Sequence, residues 1–511
     1  MLARTESVAL IGAGARLVQV EVDVSDTGLP KFTVVGLPAK SVREAEQRTL
    51  PAIATSLGAS TGLPKRRVVA NLAPGNLPKD GPHFDLAIAL GILAAHGRIP
   101  AEAAEGWVAL GELALDGTLR PVRGTLAAAL ECRSRARRGL LCPLPNAPEA
   151  MLVEGLRVVP VSSLSDCIRW TAGVYEPPRV APAPDARPGR SEDLADVRGQ
   201  EGAKEVLEVA AAGGHNVLLC GPPGSGKTML AERVPGILPA MSLEESLEVT
   251  RIHSIAGLLG GGGLIRERPF RSPHHHTSMA ALVGGGSGIA RPGEVALAHH
   301  GALFLDELPL YRREVLESLR GPLEDGIVRI ARSGGTVTFA CRFTLVAATN
   351  PCPCGFHGHP RRLCSCSAVE LSRHNAKLSG PLLDRVDMGV TLDPLGRREL
   401  LEACTGEPSS LVRARVEAAR ASQTERYGSP LLTNASAPVS LVRKAVALSP
   451  AARELLGARI DQLALSGRGL GRVLRIARTM ADLEGSADVR DEHVEGALYH
   501  RFNERGSEAA A

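Results

Sequence analysis

Aromatic residues are scarce in this sequence: two Trp, four Tyr and eight Phe make up 3% of 511 positions. So few rings leave little material for base-stacking platforms, so any grip on a nucleic acid has to fall on backbone phosphates. Long apolar runs are missing too. No stretch of eighteen apolar residues occurs, which excludes a membrane-spanning helix of ordinary length, and the N-terminus has no charged, apolar, small-residue leader pattern. A cytoplasmic chain without membrane contact is therefore expected. Charge of one sign is not in excess either: 59 Lys and Arg against 55 Asp and Glu give +4. That is too little to argue for a polyanionic partner by itself, so a basic surface has to be local. No internal repeat is evident. What is present is hydrophobic material, at 44% of residues, in a length that suggests three or four domains.

The most informative segment is Gly221-Pro222-Pro223-Gly224-Ser225-Gly226-Lys227-Thr228, which follows the apolar run Val217 to Leu219 and leads into Met229-Leu230-Ala231. Strand, glycine-rich loop and helix in that order make a phosphate-binding loop. Backbone N–H groups close around phosphate, Lys227 reaches the β and γ oxygens, and the Thr228 hydroxyl holds Mg²⁺ at a helix N-terminus. The site predicts ATP with Mg²⁺. Ala302 to Leu305 reads as a buried parallel strand delivering Asp306 and Glu307 at its C-terminal end, where open α/β sheets bind ligands. Asp306 is expected in the magnesium shell and Glu307 as the group that activates water. A third strand, Phe343 to Ala348, ends at Thr349-Asn350, and Asn350 is placed to hold the attacking water. An acidic pair after a strand can also be a helix N-cap. Three strand ends in this order favour hydrolysis.

Six of the ten cysteines stand alone, as small buried apolar residues do. Cys352, Cys354, Cys364 and Cys366 form two C-x-C pairs with Gly355, Gly358 and Pro360 between them. A tight loop of this kind can bring four thiolates around one Zn²⁺, with His357 and His359 as alternates; free or redox-active thiols are the other reading.

Tyr175 to Arg190 is rich in proline and alanine and lacks periodicity, the mark of an extended linker between an N-terminal domain and the ATPase core. A helix is expected over 201–212. Further helices are expected near 410–426, 439–447, 450–464, 470–484 and 490–501. The span from Thr228 to Asp306 is long for one helix and one strand, so it holds an insertion. That insertion contains Arg266 to His276 and two glycine clusters. Its basic residues among glycines suit a loop that meets phosphates. Adjacent histidines at 274–276 rarely converge on one metal ion. A second insertion, Asp325 to Phe339, reads as two alternating strands around a glycine turn, with Arg329 and Arg332 near the tip.

The chain resembles the magnesium-chelatase-like AAA+ proteins of bacteria, and within them the ComM (YifB) family, nearly end to end. The resemblance is carried by Val34-Val35-Gly36-Leu37-Pro38, Asn71 to Gly75, Gly81 to Leu86, Arg268 to His275, Ser379 to Asp387 and Leu474 to Thr479. It implies an α/β AAA+ core with a doubly wound parallel sheet, an α+β Lon-protease-like N-terminal domain and an all-α C-terminal lid. The expected bounds are 1–172 for the Lon-like domain, 173–192 for the linker, 193–394 for the ATPase core and 395–511 for the lid. The insertions then look like a helix-2 insert and a presensor-1 hairpin facing a central pore. Arg329 and Arg332 become the expected DNA contacts.

Members of the family are understood as ring ATPases that move branched DNA during natural transformation. The resemblance implies the same here: a homo-hexameric helicase or branch-migration factor acting on single-stranded and branched DNA. A protein-remodelling chaperone and a magnesium-chelatase ATPase subunit are the alternatives. Arg385 matches the finger that one subunit points at its neighbour's γ-phosphate. Arg468 matches the second sensor on the lid, with Arg472 as the alternative, although surface ion pairs with Asp387 or Asp461 would leave the same letters. In the Lon-like domain, Gly81-Pro82-His83-Phe84 stands where a peptidase of that fold has its nucleophilic serine. Pro121 to Leu126 stands where that peptidase has its lysine. Protease activity is not expected. Lys79 lies near that turn, and Lys65, Arg66 and Arg67 form a basic cluster that either faces DNA or is simply solvated.

Overall fold

In the strand Val217–Cys220 successive side chains point to opposite faces, and both faces are buried. Val217 and Leu219 enter one core and Leu218 another. Ala302–Leu305 divides the same way, with Phe304 on one side and Leu303 and Leu305 on the other; in Thr344–Thr349, Val346 and Ala348 oppose Leu345 and Ala347. Strands buried on both faces belong to a parallel sheet covered on both sides. The computed structural model has that sheet. Five parallel strands run in the order Phe270–Arg271, Ala302–Leu305, Thr344–Thr349, Val217–Cys220, Met388–Thr391. Cys220 pairs with Thr349, and Leu305 with Ala347. The loops that leave these strands therefore emerge along one edge, where a ligand of such a sheet binds. The structure describes residues 1–26, 29–58, 66–182, 192–259, 263–286, 290–332, 335–378, 382–396, 406–463 and 465–502.

The N-terminal half is built on a different principle. A long antiparallel hairpin, Leu2–Ile11 with Gly14–Ser25, lies at the centre of a seven-stranded mixed sheet. The strand order is Phe32–Val35, Arg67–Ala73, Gly14–Ser25, Leu2–Ile11, Trp107–Ala109, Gly139–Pro143, Val158–Val161. Helix Asp85–Ala95, buried at every residue, lies against the hairpin. Its Gly91 permits the close approach, since a Cβ there would fall 2.5 Å from Val22 Cγ2.

The two halves touch. A Cβ on Gly12, in the hairpin's turn, would lie 2.5 Å from Thr338 O, and Ala13 packs against the core beneath the five-stranded parallel sheet. Glu149 accepts a hydrogen bond from Ser254 Oγ across the same boundary. The first residues of the expected linker lie along the N-terminal half: Tyr175 OH donates to Pro160 O, and Val180 packs on its core. Linker residues 183–191 fall outside the described residues.

From Ser409 onward the described elements are all helices: Ser409–Tyr427, Val439–Ala445, Pro450–Gln462, Gly467–Leu483 and Asp491–Phe502. Val412, Val416, Val473, Ile476 and Ala477 share one core with Val217, Leu219 and Met388 of the sheet. These helices are thus packed onto the ATPase sheet by their apolar faces. A buried ionic cluster locks them together, in which Arg426 and Arg478 both donate to Asp482 and Asn434 donates to the same carboxylate. Among the described residues no helix is long and apolar enough to cross a membrane.

Candidate nucleotide site

The phosphate loop takes its shape from its glycines. Gly224 and Gly226 have φ of +79° and +94°, in the left-handed region that side chains disfavour. Gly226 caps helix Lys227–Ile237, so the free N–H groups of that helix face the loop. Lys227 Nζ donates to Gly221 O at 2.7 Å, Pro222 O at 3.0 Å and Asn350 Oδ1 at 3.0 Å. Burial lowers the Lys227 ammonium below its ordinary pKa, while Asp306 and Glu307 pull the other way. Thr228 Oγ1 donates to Asp306 Oδ2 at 2.9 Å. A hydroxyl and a carboxylate converging at a helix N-terminus fit one Mg²⁺. Glu307 sits at φ +49°, rare for a residue with a Cβ, and its backbone N–H donates to Asp306 Oδ1. Strain of this kind concentrates at working sites. All the strand-end residues that the sequence singled out are therefore brought together.

Three residues make contacts here that had no signal in the sequence. Gln200 Nε2 donates to Ser225 O in the phosphate loop at 3.2 Å and to Asp393 O at 2.7 Å, bracing the loop from behind. His275 Nδ1 stands 3.7 Å from Glu307 Oε2, which gives one member of the histidine run a place beside the carboxylate at the strand's end. His374 Nε2 bonds Asn350 O at 2.9 Å. His374 belongs to helix Ala368–Leu378, which contributes Arg373 and Lys377 to a cleft of about 380 Å³ shared with Glu307, Asn350 and Cys352. Nothing in the letters tied that helix to the site.

Similarity to known proteins agrees with this geometry. Residues 193–400 match the family described as magnesium chelatase, subunit ChlI; residues 20–146 match subunit ChlI of Mg-chelatase; residues 406–501 match the ChlI C-terminal family. The chain is 39% identical to competence protein ComM of Haemophilus influenzae over 507 residues, covering 98% of this chain and 97% of that protein. It is 39% identical to the uncharacterized protein YifB of Escherichia coli over 97% of this chain and 96% of that one. It is 44% identical to an uncharacterized protein of Mycobacterium tuberculosis over 98% of each. The chain belongs to the ComM/YifB family of magnesium-chelatase-like AAA+ proteins. Membership implies ATPase activity and is consistent with ATP and Mg²⁺. A weaker similarity, 24% over 150 residues, relates it to Lon protease 2 of Bacillus subtilis.

The two family arginines lie away from their own phosphate loop. Arg385 O accepts from Asn216 Nδ2, at the start of the Val217–Cys220 strand, whereas the phosphate loop begins at that strand's end. At about 3.3 Å per residue the strand separates the two by roughly 13 Å. Its guanidinium turns to Glu324. Arg472, the alternative second sensor, is 3.7 Å from Asp387 at the same edge, the ion pair that the sequence left open. Arg468 is exposed one turn earlier on that helix. Neither position is drawn to the chain's own Lys227 by any contact among the described residues.

The four paired cysteines do converge. Cys352 Sγ lies 3.3 Å from Cys354 Sγ and 3.7 Å from Cys364 Sγ, Cys354 Sγ lies 3.6 Å from Cys364 Sγ, and all four sulfurs lie within 4.8 Å of one another. Tetrahedral Zn–S bonds of about 2.3 Å require S···S separations of about 3.8 Å. Backbone N–H groups of Phe356 and Ser365 draw the Cys354 thiol down, while burial and the neighbouring thiols push Cys364 and Cys366 up. His357 takes part through its N–H on Cys352 Sγ, and His359 Nδ1 accepts from the backbone of Arg361 and Arg362.

Strands Ile327–Arg332 and Gly335–Ala340 form the second insertion's hairpin, with Arg332 opposite Gly335 at the tip. Arg329 is set further back, opposite Thr338, and its guanidinium pairs with Asp325 at 2.9 Å. It is therefore farther from the tip than the letters suggested: counted from the tip, the register places it at the fourth rung. In the basic cluster of the N-terminal half, Arg66 is tied to Asp26 at 2.6 Å, and Lys65 lies outside the described residues. His83 is buried and its Nε2 bonds Val8 O at 2.8 Å.

Proposed function

We propose that this chain is an ATP-driven motor that moves branched and single-stranded DNA as a closed homo-hexameric ring. The observation that carries the reading is the placement of Arg385. It stands at the sheet edge opposite its own phosphate loop, so it serves a γ-phosphate only in a neighbouring subunit, and a site completed by a neighbour calls for a closed ring. Arg468 and Arg472, on the same side, would reach that neighbour as well.

Within one site, Lys227 and the loop N–H groups hold the β and γ phosphoryl groups, Glu307 takes a proton from water, and Asn350 orients that water. Bound Mg²⁺, held by Thr228 and Asp306, would offset charge on the phosphoryl oxygens. Arg385 from the next subunit would stabilise charge that grows in the transition state. The hairpin carrying Arg329 and Arg332 offers cations and no exposed aromatic, which suits phosphate tracking better than gripping polypeptide. One Zn²⁺ held by Cys352, Cys354, Cys364 and Cys366 completes the ATPase half. The Haemophilus influenzae relative is named a competence protein, which favours a role in natural transformation.

Equilibrium DNA binding over a salt series tests the reading. Affinity for single-stranded and forked DNA should fall steeply with salt, and Arg329→Ala with Arg332→Ala should weaken it at every sequence and flatten the slope. DNA binding absent at low salt would turn the assignment to protein remodelling.

A further inference from the structure

The Cys loop is seated against the phosphate loop. Gly355, at φ +84°, comes so close to Pro223 that a Cβ on it would lie 2.5 Å from Pro223 Cδ and 2.8 Å from Cγ. The loop's two ends also run into the site. On one side Asn350, which accepts from Lys227, precedes the fully buried Cys352 by two residues. On the other side Cys366 leads directly into helix Ala368–Leu378, whose His374 returns to bond Asn350 O. Cys352 and Pro353 wall the same cleft as Glu307 and Asn350.

We infer that the Cys352–Cys366 metal loop is a positioning device for ATP: zinc bound by its four thiolates holds Gly355 against Pro223 and fixes Asn350 beside Lys227. The inference rests on the zinc assignment above and is independent of DNA. A metal that closes a loop removes the conformations in which that loop drifts from its neighbour. Without the ion, the wall behind Pro223 and the anchor of Asn350 both slacken, and the phosphate loop loses its shape on the side that meets the nucleotide. Gly355 touches the phosphate loop and not the phosphoryl group, so its effect falls on affinity and alignment, while the hold on Asn350 also aligns the water that Glu307 activates.

The test uses the full-length chain without DNA. Zinc is counted by mass spectrometry, affinity for a fluorescent ATP analogue is measured before and after mild chelation and after reloading with zinc, and thermal melting is followed alongside. One zinc per chain is expected. Stripping should raise the Kd at least fivefold and zinc should restore it. Gly355→Val, whose side chain meets Pro223 and does not suit the positive φ, should raise the Kd by a similar factor while keeping its zinc and still melting cooperatively. Less than about 0.2 zinc per chain, against the one ion that four thiolates hold, overturns the inference. So does an unchanged Kd in stripped protein that still melts cooperatively. If stripping unfolds the chain, Gly355→Val decides alone, and an unchanged Kd with zinc in place overturns the coupling. Because DNA is absent throughout, failure of the motor reading leaves each of these outcomes as it stands.

Discussion

Lys227 and Lys79 each follow a strand, Lys227 as the first residue of the helix behind the phosphate loop and Lys79 in a loop of the N-terminal half, and each points its ammonium at backbone carbonyls. Lys79 Nζ donates to Leu72 O at 2.8 Å and to Pro74 O, and its side chain is fully buried. Burial lowers its pKa, with no carboxylate among the causes. Lys227 bonds two carbonyls as well, but its third acceptor is the Asn350 side chain, and Asp306 and Glu307 favour its charge. The neighbours separate a cation that waits for phosphate from one that ties a loop. A lysine next to a glycine-rich turn is in itself neutral information. What makes Lys227 a ligand is a helix N-terminus, two strand-end carboxylates and an open cleft on one edge of a parallel sheet. The mixed sheet of the N-terminal half has no such edge beside Lys79.

The sharpest way to break this contrast is to remove each lysine. Lys227→Ala should abolish ATP turnover, by at least about 10³-fold, since loop and lysine act together on the transferred phosphoryl group; Glu307→Gln should keep ATP binding and lose turnover to the same degree. Steady-state hydrolysis and a nucleotide-binding titration read both. Arg385→Ala should cost about 10³-fold in the assembled protein. Mixing it with Lys227→Ala should recover part of the activity, because a mixed ring contains sites with an intact loop beside an intact finger. No recovery at any mixing ratio would place Arg385 in its own site.

Lys79→Met should behave in the opposite way. Leaving the carbonyls of Leu72 and Pro74 without a donor should cost about 3 kcal/mol in stability, seen as a lower denaturation midpoint, while ATP affinity of the folded protein stays unchanged. The smallest effect belongs to Gln200→Ala. Losing the brace on Ser225 O removes about 1 kcal/mol of hydrogen bonding, so ATP affinity should weaken about fivefold with little change in melting.

Much of this site was legible in the letters because it depends on local order. The Val217–Cys220 strand, the loop after it and the helix after that are contiguous, and Asp306 and Asn350 each end an apolar run of strand length. The C-terminal helices were readable to within a few residues for the same reason: their periodicity is local, and Ser449 and Ser466 cap two of them. The contacts of Gln200, His275 and His374 were not legible, since each meets its partner across 24 or more residues and the Arg268 to His275 motif does not say that His275 faces Glu307. The direction of Arg385 and Arg472 was hidden as well. Both depend on Asn216 and Asp387 marking the sheet edge away from the loop, a fact of strand register that spacing does not encode. Arg329 was misplaced toward the tip because a hairpin's rungs can be counted only once its turn is located.

The claim that matters most is that ATP turnover moves DNA, and one measurement bears on it directly: ATP hydrolysis by the purified full-length chain with and without single-stranded and forked DNA, with displacement of a labelled strand followed in the same tubes. Turnover stimulated by DNA together with strand displacement, both lost in Lys227→Ala and Glu307→Gln, is the expected result. Turnover indifferent to DNA, with no strand displaced at low salt, would contradict it.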